Sequence, residues 1–574
     1  MADSTSKEEV KEDNHVSNIK KAAKRDTKKA GNRKQSSNET SKKESKTKED
    51  SKRIQQKDEQ IELLMTSSKK KSLEEKNNSV DISSFVSNVE GNVYAITGLP
   101  EEFIATLFAW VSRSDKSFKD HLKQALKDQK IETYLDSFKE LDERAKKFHE
   151  KWTVGYGHSS VAEHATAHIG IEKVSRLASA DLALSNSFLS ITEYSQRYQK
   201  PKRHEWHNPI KSNSKIQKNV EYFYNESFDA FENLIDGVYT HLKKQFVDSA
   251  EYEDIKDDQK AVDKKLDALM KLAFEDARYV LPLAMHTQLG MTANGRAWRD
   301  SLAAFSNADH EESQQIAESL RTEISKVLPV LLKYSTPSQY QRNSQKRMKN
   351  FFMYPPHNKE NSSKNSDVQL LDVQSETKAI DTIIACLQQH YANVDFRSAI
   401  FLLEKYTDID MKEQIITELL LEIQSHDMAP EIFKHIRYNA FFNVSEANWH
   451  QLLRHNRMTD FTASIPSPFN GVTIPPRIVS AGLQDIVKCI ARKSEELYTK
   501  LLEEGLDKEA EYVVLNAHKR QIYASFSLWE AYHLINLRTS EEAQWDIRQT
   551  CEKLYEQLKS VHPLLISKAK RRSY

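Results

Sequence analysis

Large apolar residues are almost absent from positions 1 to about 85, where Lys, Glu, Ser, Thr, Asn and Gln dominate. Such a segment cannot offset its ordering entropy by burial, so it reads as a disordered tail. Apolar positions begin to recur near Val93-Tyr94-Ala95-Ile96, and a first folded unit is expected over 90–354. Much of it has helical spacing, as in Ile216–Phe223 and Tyr239–Phe246. The polar stretch 355–367 reads as a linker, and 368–574 as a second helix-rich unit. Alternating apolar runs at Ala165–Ile171 and Ile436–Phe442 predict a strand at the head of each unit. Each strand should lead into a helix starting near a Val-Ser pair, Val174-Ser175 or Val444-Ser445. The predicted class is α+β, with helix dominant.

The two heads align with each other. From His164 to Val174-Ser175, and from His435 to Val444-Ser445, the spacing is nearly the same. An internal repeat changes every later inference about fold and site, because one site can then draw on both copies.

A chain of 574 residues is too long for one hydrophobic core. Basic and acidic residues number 84 each, so the molecule as a whole shows no nucleic-acid footprint. The tail is mildly positive; it is either a solubilising segment or a weak tether to nucleic acid or another polyanion. Cys386, Cys489 and Cys551 are far apart, which excludes a disulfide framework and fits a reducing, cytoplasmic setting. No apolar run approaches the roughly 18–20 residues of a membrane span, and no signal peptide opens the chain. His158 and His168 have no partners at metal-ligand spacing, so no metal is expected. Glycine is scarce, with 12 in all; Gly155-Tyr156-Gly157 lacks the third glycine of a dinucleotide fingerprint. Any phosphate or dinucleotide must therefore be held by side chains, chiefly Arg and Ser.

Glu193-Tyr194-Ser195-Gln196-Arg197 concentrates an acceptor, hydroxyls and a guanidinium beside Tyr198. On a turn, an arginine fork and a short serine hydrogen bond suit phosphate, although solvated surface stretches share this composition. With its flanks, the segment resembles the signature of the flavin-dependent thymidylate synthases. That signature runs Arg-His-Arg, two residues, Ser, one residue, Asn-Glu, one residue, Ser, one residue, Arg-Tyr. Ser190, Glu193, Ser195, Arg197 and Tyr198 match in register; Thr192 replaces the Asn, and Ser185-Asn186-Ser187 stands at Arg-His-Arg. Ala162–Thr166 and Ile171–Arg176 also look like that family. The second unit shows the reverse. Ala447–His455 resembles the run into Arg-His-Arg, with Asn456 inserted before Arg457, while Ile465-Pro466-Ser467-Pro468 replaces the Ser-x-Arg-Tyr end. Ala277–Pro282 and Asn294-Gly295-Arg296 resemble the family's Arg-x-Val-Leu-Pro and Asn-Ala-Arg elements; Glu511 and Ser527-Leu528-Trp529 stand there in the second unit. Asn536-Leu537-Arg538 matches a later Asn-Leu-Arg element, where the first unit has Phe305.

The resemblance implies two divergent copies fused into a pseudo-dimer with one composite site. It implies reductive methylation of dUMP to dTMP, with methylenetetrahydrofolate as carbon donor, FAD as cofactor and NADPH as reductant. Arg538 is the candidate catalytic residue, since negative charge stabilised on the N3–O4 face of uracil makes its 5-carbon nucleophilic. Glu193, Tyr194, Ser195, Gln196, Arg197, Arg278, Gln451 and Arg454 would bind the nucleotide. His164, Thr166, Asn294, Arg296, Arg454, His455 and Arg457 would contact the flavin. The family forms homotetramers, so two fused copies imply a homodimer of chains, a pseudo-tetramer. The alternatives are an inactive relative that binds nucleotide or flavin in a regulatory role, and an enzyme on the same scaffold with another pyrimidine. His164 and His435 also suit structural roles at the heads of apolar segments.

Overall fold

In the computed structural model both predicted strands are present, and each runs into a helix at its Val-Ser pair. The first sheet comprises β1 (Thr166–Ser175), β2 (Ser190–Glu193) and β3 (His286–Asn294), antiparallel in the order β1-β3-β2. The second comprises β4 (Val368–Leu370), β5 (Arg437–Ser445), β6 (Thr459–Ala463) and β7 (Lys519–Ser527), in the order β4-β5-β7-β6. Without the edge strand β4 the two orders are the same. β1 leads into α1 (Arg176–Leu184), where Ser175 Oγ accepts from the Ala178 amide; β5 leads into the helix Glu446–Leu452, capped likewise by Ser445 through Asn448. These caps satisfy amides that have no partner inside the helix. The sheets differ in one detail: β1 carries a bulge between Ile171 and Val174, with Lys173 at φ 56°, whereas β5 pairs with β7 without a break.

Described residues run from 81 to 572, apart from 87–88, 91–95, 97, 112–116, 128–142, 152–158, 198, 212–214, 353–365 and 407. The expected tail, the start at Val93–Ala95, most of the 355–367 linker, Gly155–Gly157 and Tyr198 thus lie outside the described residues. Burial already begins at Ile82, Phe85 and Val86, a few positions before the expected start at 90.

Ile216–Phe223 and Tyr239–Phe246 belong to a single 33-residue helix, α2 (Lys215–Val247). It packs with α3 (Gln259–Ala277) and with α4 (Gln484–Glu503) of the second half. Phe223, Phe228, Phe231 and Tyr279 from one half share a core with Ile490, Tyr498, Leu501 and Tyr512 from the other. Residues Ile82–Tyr574 form one compact unit. Each half also has a core of its own, and the shared one joins the two repeats. Among the described residues, no helix is long and apolar enough to cross a membrane.

The halves meet through reciprocal contacts. Leu283 N donates to Val514 O and Asn516 N to Leu281 O; Ala284 N donates to Tyr512 O and Ala517 N to Tyr279 O. Pro282 faces Leu515 between them. Side chains repeat the exchange. Ser175 Oγ and Tyr512 Oη both donate to Glu312, while Ser445 Oγ and Tyr279 Oη both donate to Asp546. Residue i meeting j while j meets i is the pattern of an isologous contact.

Candidate functional site

Five guanidiniums drawn from both halves lie within electrostatic reach of one another. Arg176 opens α1, Arg197 follows β2, and Arg278 follows α3; Arg454 and Arg538 come from the second half, Arg538 at the end of a helix spanning Leu528–Arg538. Each repels the next: Arg176 with Arg278 and Arg454, Arg278 with Arg197, Arg197 with Arg538, Arg538 with Arg454. Burial and these facing cations push Arg176 down to about 9 and Arg454 down to about 10.

Counter-charge is short. Arg454 pairs with Glu193, which also accepts from Ser179 Oγ at 2.9 Å. Arg197 Nε binds Glu275 at 2.6 Å, a carboxylate shared with Arg477 at 2.9 Å. Among the described residues, no carboxylate hydrogen bonds to Arg176, Arg278 or Arg538. Several buried atoms also lack a hydrogen-bond partner: Arg176 Nε, Arg278 Nη2, both amide atoms of Gln196, and His450 Nδ1. Ser195 Oγ accepts from the Arg197 amide at 3.3 Å, which leaves its own proton to donate.

Arg538 is oriented by its neighbours. Its Nε donates to His455 Nε2 at 3.1 Å, and its Nη2 donates to Gln451 O at 3.3 Å. Arginine cannot accept, so His455 Nε2 must be the bare nitrogen, and Nδ1–H then donates to Glu530 at 2.8 Å. Burial and Arg538 together hold His455 neutral, well below its ordinary pKa, and burial pushes Glu530 up to about 8. His455 is thus engaged on both nitrogens and holds Arg538 in place. His455, Glu530 and His533 bring three donor atoms within 4.8 Å of one another. A metal on His455 Nδ1 would require Nε2 to carry the proton, which the Arg538 donor forbids.

The Gln451 amide donates to Gln544 Oε1 at 3.3 Å, and Gln544 donates to the Tyr279 hydroxyl at 3.1 Å. The inserted Asn456 donates to Ala183 O at 2.6 Å, tying the second half to the end of α1. The Pro466–Pro468 segment turns towards α4, where Tyr498 Oη donates to Pro466 O.

The other expected flavin residues stand apart. Glu193 pairs with Leu289 on β3, and Asn294 lies five residues further along, about 17 Å away. Asn294 Oδ1 is spent capping its helix through Ala297 N, Thr166 donates twice to Glu101, and Arg296 pairs with Glu163. His164 and Arg457 are exposed. The structure brings Glu193, Ser195, Gln196, Arg197, Arg278, Gln451, Arg454 and Arg538 together; Tyr194 lies at the edge, its hydroxyl reaching Lys200 O at 3.4 Å. A cavity of about 390 Å³ lined by Leu184–Phe188, Asn456 and Thr459–Phe461 holds no Lys or Arg, so its chemistry does not suit phosphate. Sequence reasoning gave no role to Arg176, Glu275 or Gln544. The signal for Arg176 was present, because its counterpart after the second Val-Ser pair is Glu446.

The family model described as thymidylate synthase complementing protein matches residues 96–330 and again 339–564. The chain is 22% identical over 458 residues to a UPF0159 protein of Thermoplasma acidophilum, covering 75% of this chain and 89% of that one. It is 27% identical over 242 residues to a flavin-dependent thymidylate synthase of Saccharolobus solfataricus, covering 41% and 73%. A solved UMP/dUMP methylase, PolB of Streptomyces cacaoi, aligns over 36% of this chain and 96% of its own at 16% identity, with TM-score 0.28.

Proposed function

The chain belongs to the thymidylate synthase complementing protein family, and we propose that it methylates dUMP to dTMP at one composite site. The observation that carries this reading is the convergence of Arg176, Arg197 and Arg278 with Arg454 and Arg538 from the other half. Under this reading the halves form a pseudo-dimer, and two chains would rebuild a four-repeat assembly in the cytoplasm.

Arg197, Arg278 and Ser195 hold the phosphate, a role for which a charged fork and a short hydroxyl are suited. Gln196, Gln451 and Arg454 position the nucleotide, and Glu193, with Tyr194 beside it, releases Arg454 as the anion arrives. Arg538 stabilises negative charge developing on the N3–O4 face of the uracil, so the 5-carbon can attack the methylene carbon of methylenetetrahydrofolate. His455 and Glu530 keep the Arg538 fork aimed while the charge builds. Reduced FAD, when bound, supplies the hydride, with NADPH as its source of electrons. The exposed Arg296, paired with Glu163, and the exposed Arg457, which makes no ion pair or hydrogen bond among the described residues, would hold the phosphates of such a dinucleotide; Thr166 and Asn294 pair at one end of the first sheet, with His164 and Arg296 two residues away in sequence. A thiolate route is disfavoured: burial pushes the Cys551 thiol up to about 12.

The test is anaerobic addition of NADPH and dUMP to protein reconstituted with FAD, followed by assay of dTMP with methylenetetrahydrofolate. Bleaching of the flavin and formation of dTMP are expected. A protein that takes up no FAD and makes no dTMP sinks the synthase reading.

A further inference from the structure

Arg176 is placed rigidly. Glu312 accepts from both the amide and the hydroxyl of the preceding Ser175, at 2.8 and 2.6 Å, and the Arg176 amide donates to Met285 O at 3.1 Å. Its side chain is 4% exposed, and its guanidinium has no hydrogen-bond partner among the described residues. The carboxylate that attracts it, Glu446, is already committed, with Oε1 accepting from Arg520 Nε at 2.8 Å. Two cations thus share one anion.

Helix formation does not call for an arginine here. The first turn of a helix favours negative charge, and the equivalent position of the second half carries Glu446 behind the same serine cap. Arg176 therefore opposes the local dipole and remains buried without a full counter-charge, an arrangement that costs stability. Arg278, 4% exposed and with Nη2 unpartnered, faces it. Where Arg176 becomes Glu446 in the other half, Arg278 becomes Glu511. The two charges change together.

We propose that Arg176 is a phosphate-binding residue, and that with Arg278 it makes the site selective for a doubly charged phosphoryl group. A phosphomonoester near pH 7 carries close to two negative charges and three acceptor oxygens, enough to engage both forks. A carboxylate offers half the charge. This inference rests on the nucleotide reading only in taking the ligand to be an anion.

The experiment compares full-length wild type with Arg176→Gln and Arg176→Lys, using inorganic phosphate, dUMP and deoxyuridine as probes and measuring affinity and ligand-free melting temperature. In Arg176→Gln, affinity for inorganic phosphate and for dUMP should fall about tenfold to a hundredfold, deoxyuridine should be unaffected, and Arg176→Lys should recover part of the loss. Without ligand, Arg176→Gln should melt no lower than wild type. A variant that melts lower, fails to fold, or binds phosphate and dUMP as wild type does overturns the proposal, as does wild type that binds neither. Arg176-dependent binding of phosphate by a protein that refuses dUMP would keep this inference and remove the nucleotide reading. Binding of dUMP indifferent to Arg176 would do the reverse.

Discussion

The site gathers Arg176, Arg197, Arg278, Arg454 and Arg538, whereas the equivalent positions of the opposite repeats hold Glu446, Ser467, Glu511, Ser185 and Phe305. The first set is short of anions. The second is neutralised from within. His310 bridges Glu511 at 3.0 Å and Asp181 at 3.3 Å, Lys508 binds Glu511 at 2.7 Å, Glu446 binds Arg520, Ser185 Oγ donates to Leu182 O at 2.7 Å, and Phe305 joins an apolar core. In a symmetric dimer of identical chains, one residue must serve both sites. A tandem chain has its own residue at each position of each repeat, so one region can stay charged while the other converts its charges into links between the halves.

The sharpest way to break the comparison exchanges the roles of equivalent residues. Arg538→Ala should lower dTMP formation at least about a thousandfold, because a donor aimed at developing charge is lost, while the melting temperature hardly moves. Near-normal turnover would remove Arg538 from the mechanism. Its counterpart should behave in the opposite way. Phe305→Ala should cost about 3–4 kcal/mol in denaturant melts, with dUMP affinity per folded molecule unchanged; loss of affinity at intact stability would mean that the second region still binds.

A smaller effect concerns pH. Burial lowers the His310 pKa, but hydrogen bonds to Asp181 and Glu511 outweigh it and raise it to about 9. A His raised above its unfolded value of about 6.5 contributes stability that is complete below that pH and lost as pH rises through 9. Wild type should therefore lose on the order of 2 kcal/mol between pH 6.5 and 10 relative to His310→Gln. Parallel pH curves for the two proteins would show that the bridge carries no such linkage. The smallest expected effect is that of Glu530→Gln, which keeps an acceptor for His455. Turnover should change only a few-fold, and an inflection near pH 8, where Glu530 ionises beside the Arg538–His455 pair, should vanish. An unchanged inflection would assign it to another group.

The sequence alone determined which local pieces exist. The Val-Ser pairs ended strands and capped helices where expected, because alternation and a serine N-cap are local signals that survive any tertiary context. The complementary sorting of Ser195, Arg197 and Arg278 against Gln451, Arg454 and Arg538 was legible for the same reason, as residue types at fixed spacing. Only tertiary structure decided what these side chains face. Arg176 differs from a surface arginine only through burial beside Arg278, His455 supports Arg538 because Arg538 and Glu530 take both its nitrogens, and Glu275 and Gln544 matter only as neighbours across long sequence separations. The segment expected to separate two units, 355–367, does not separate the core, since α2 and α4 bury their apolar faces against each other across it. Periodicity shows which face of a helix is apolar; which partner covers it depends on contacts that only the folded chain brings together.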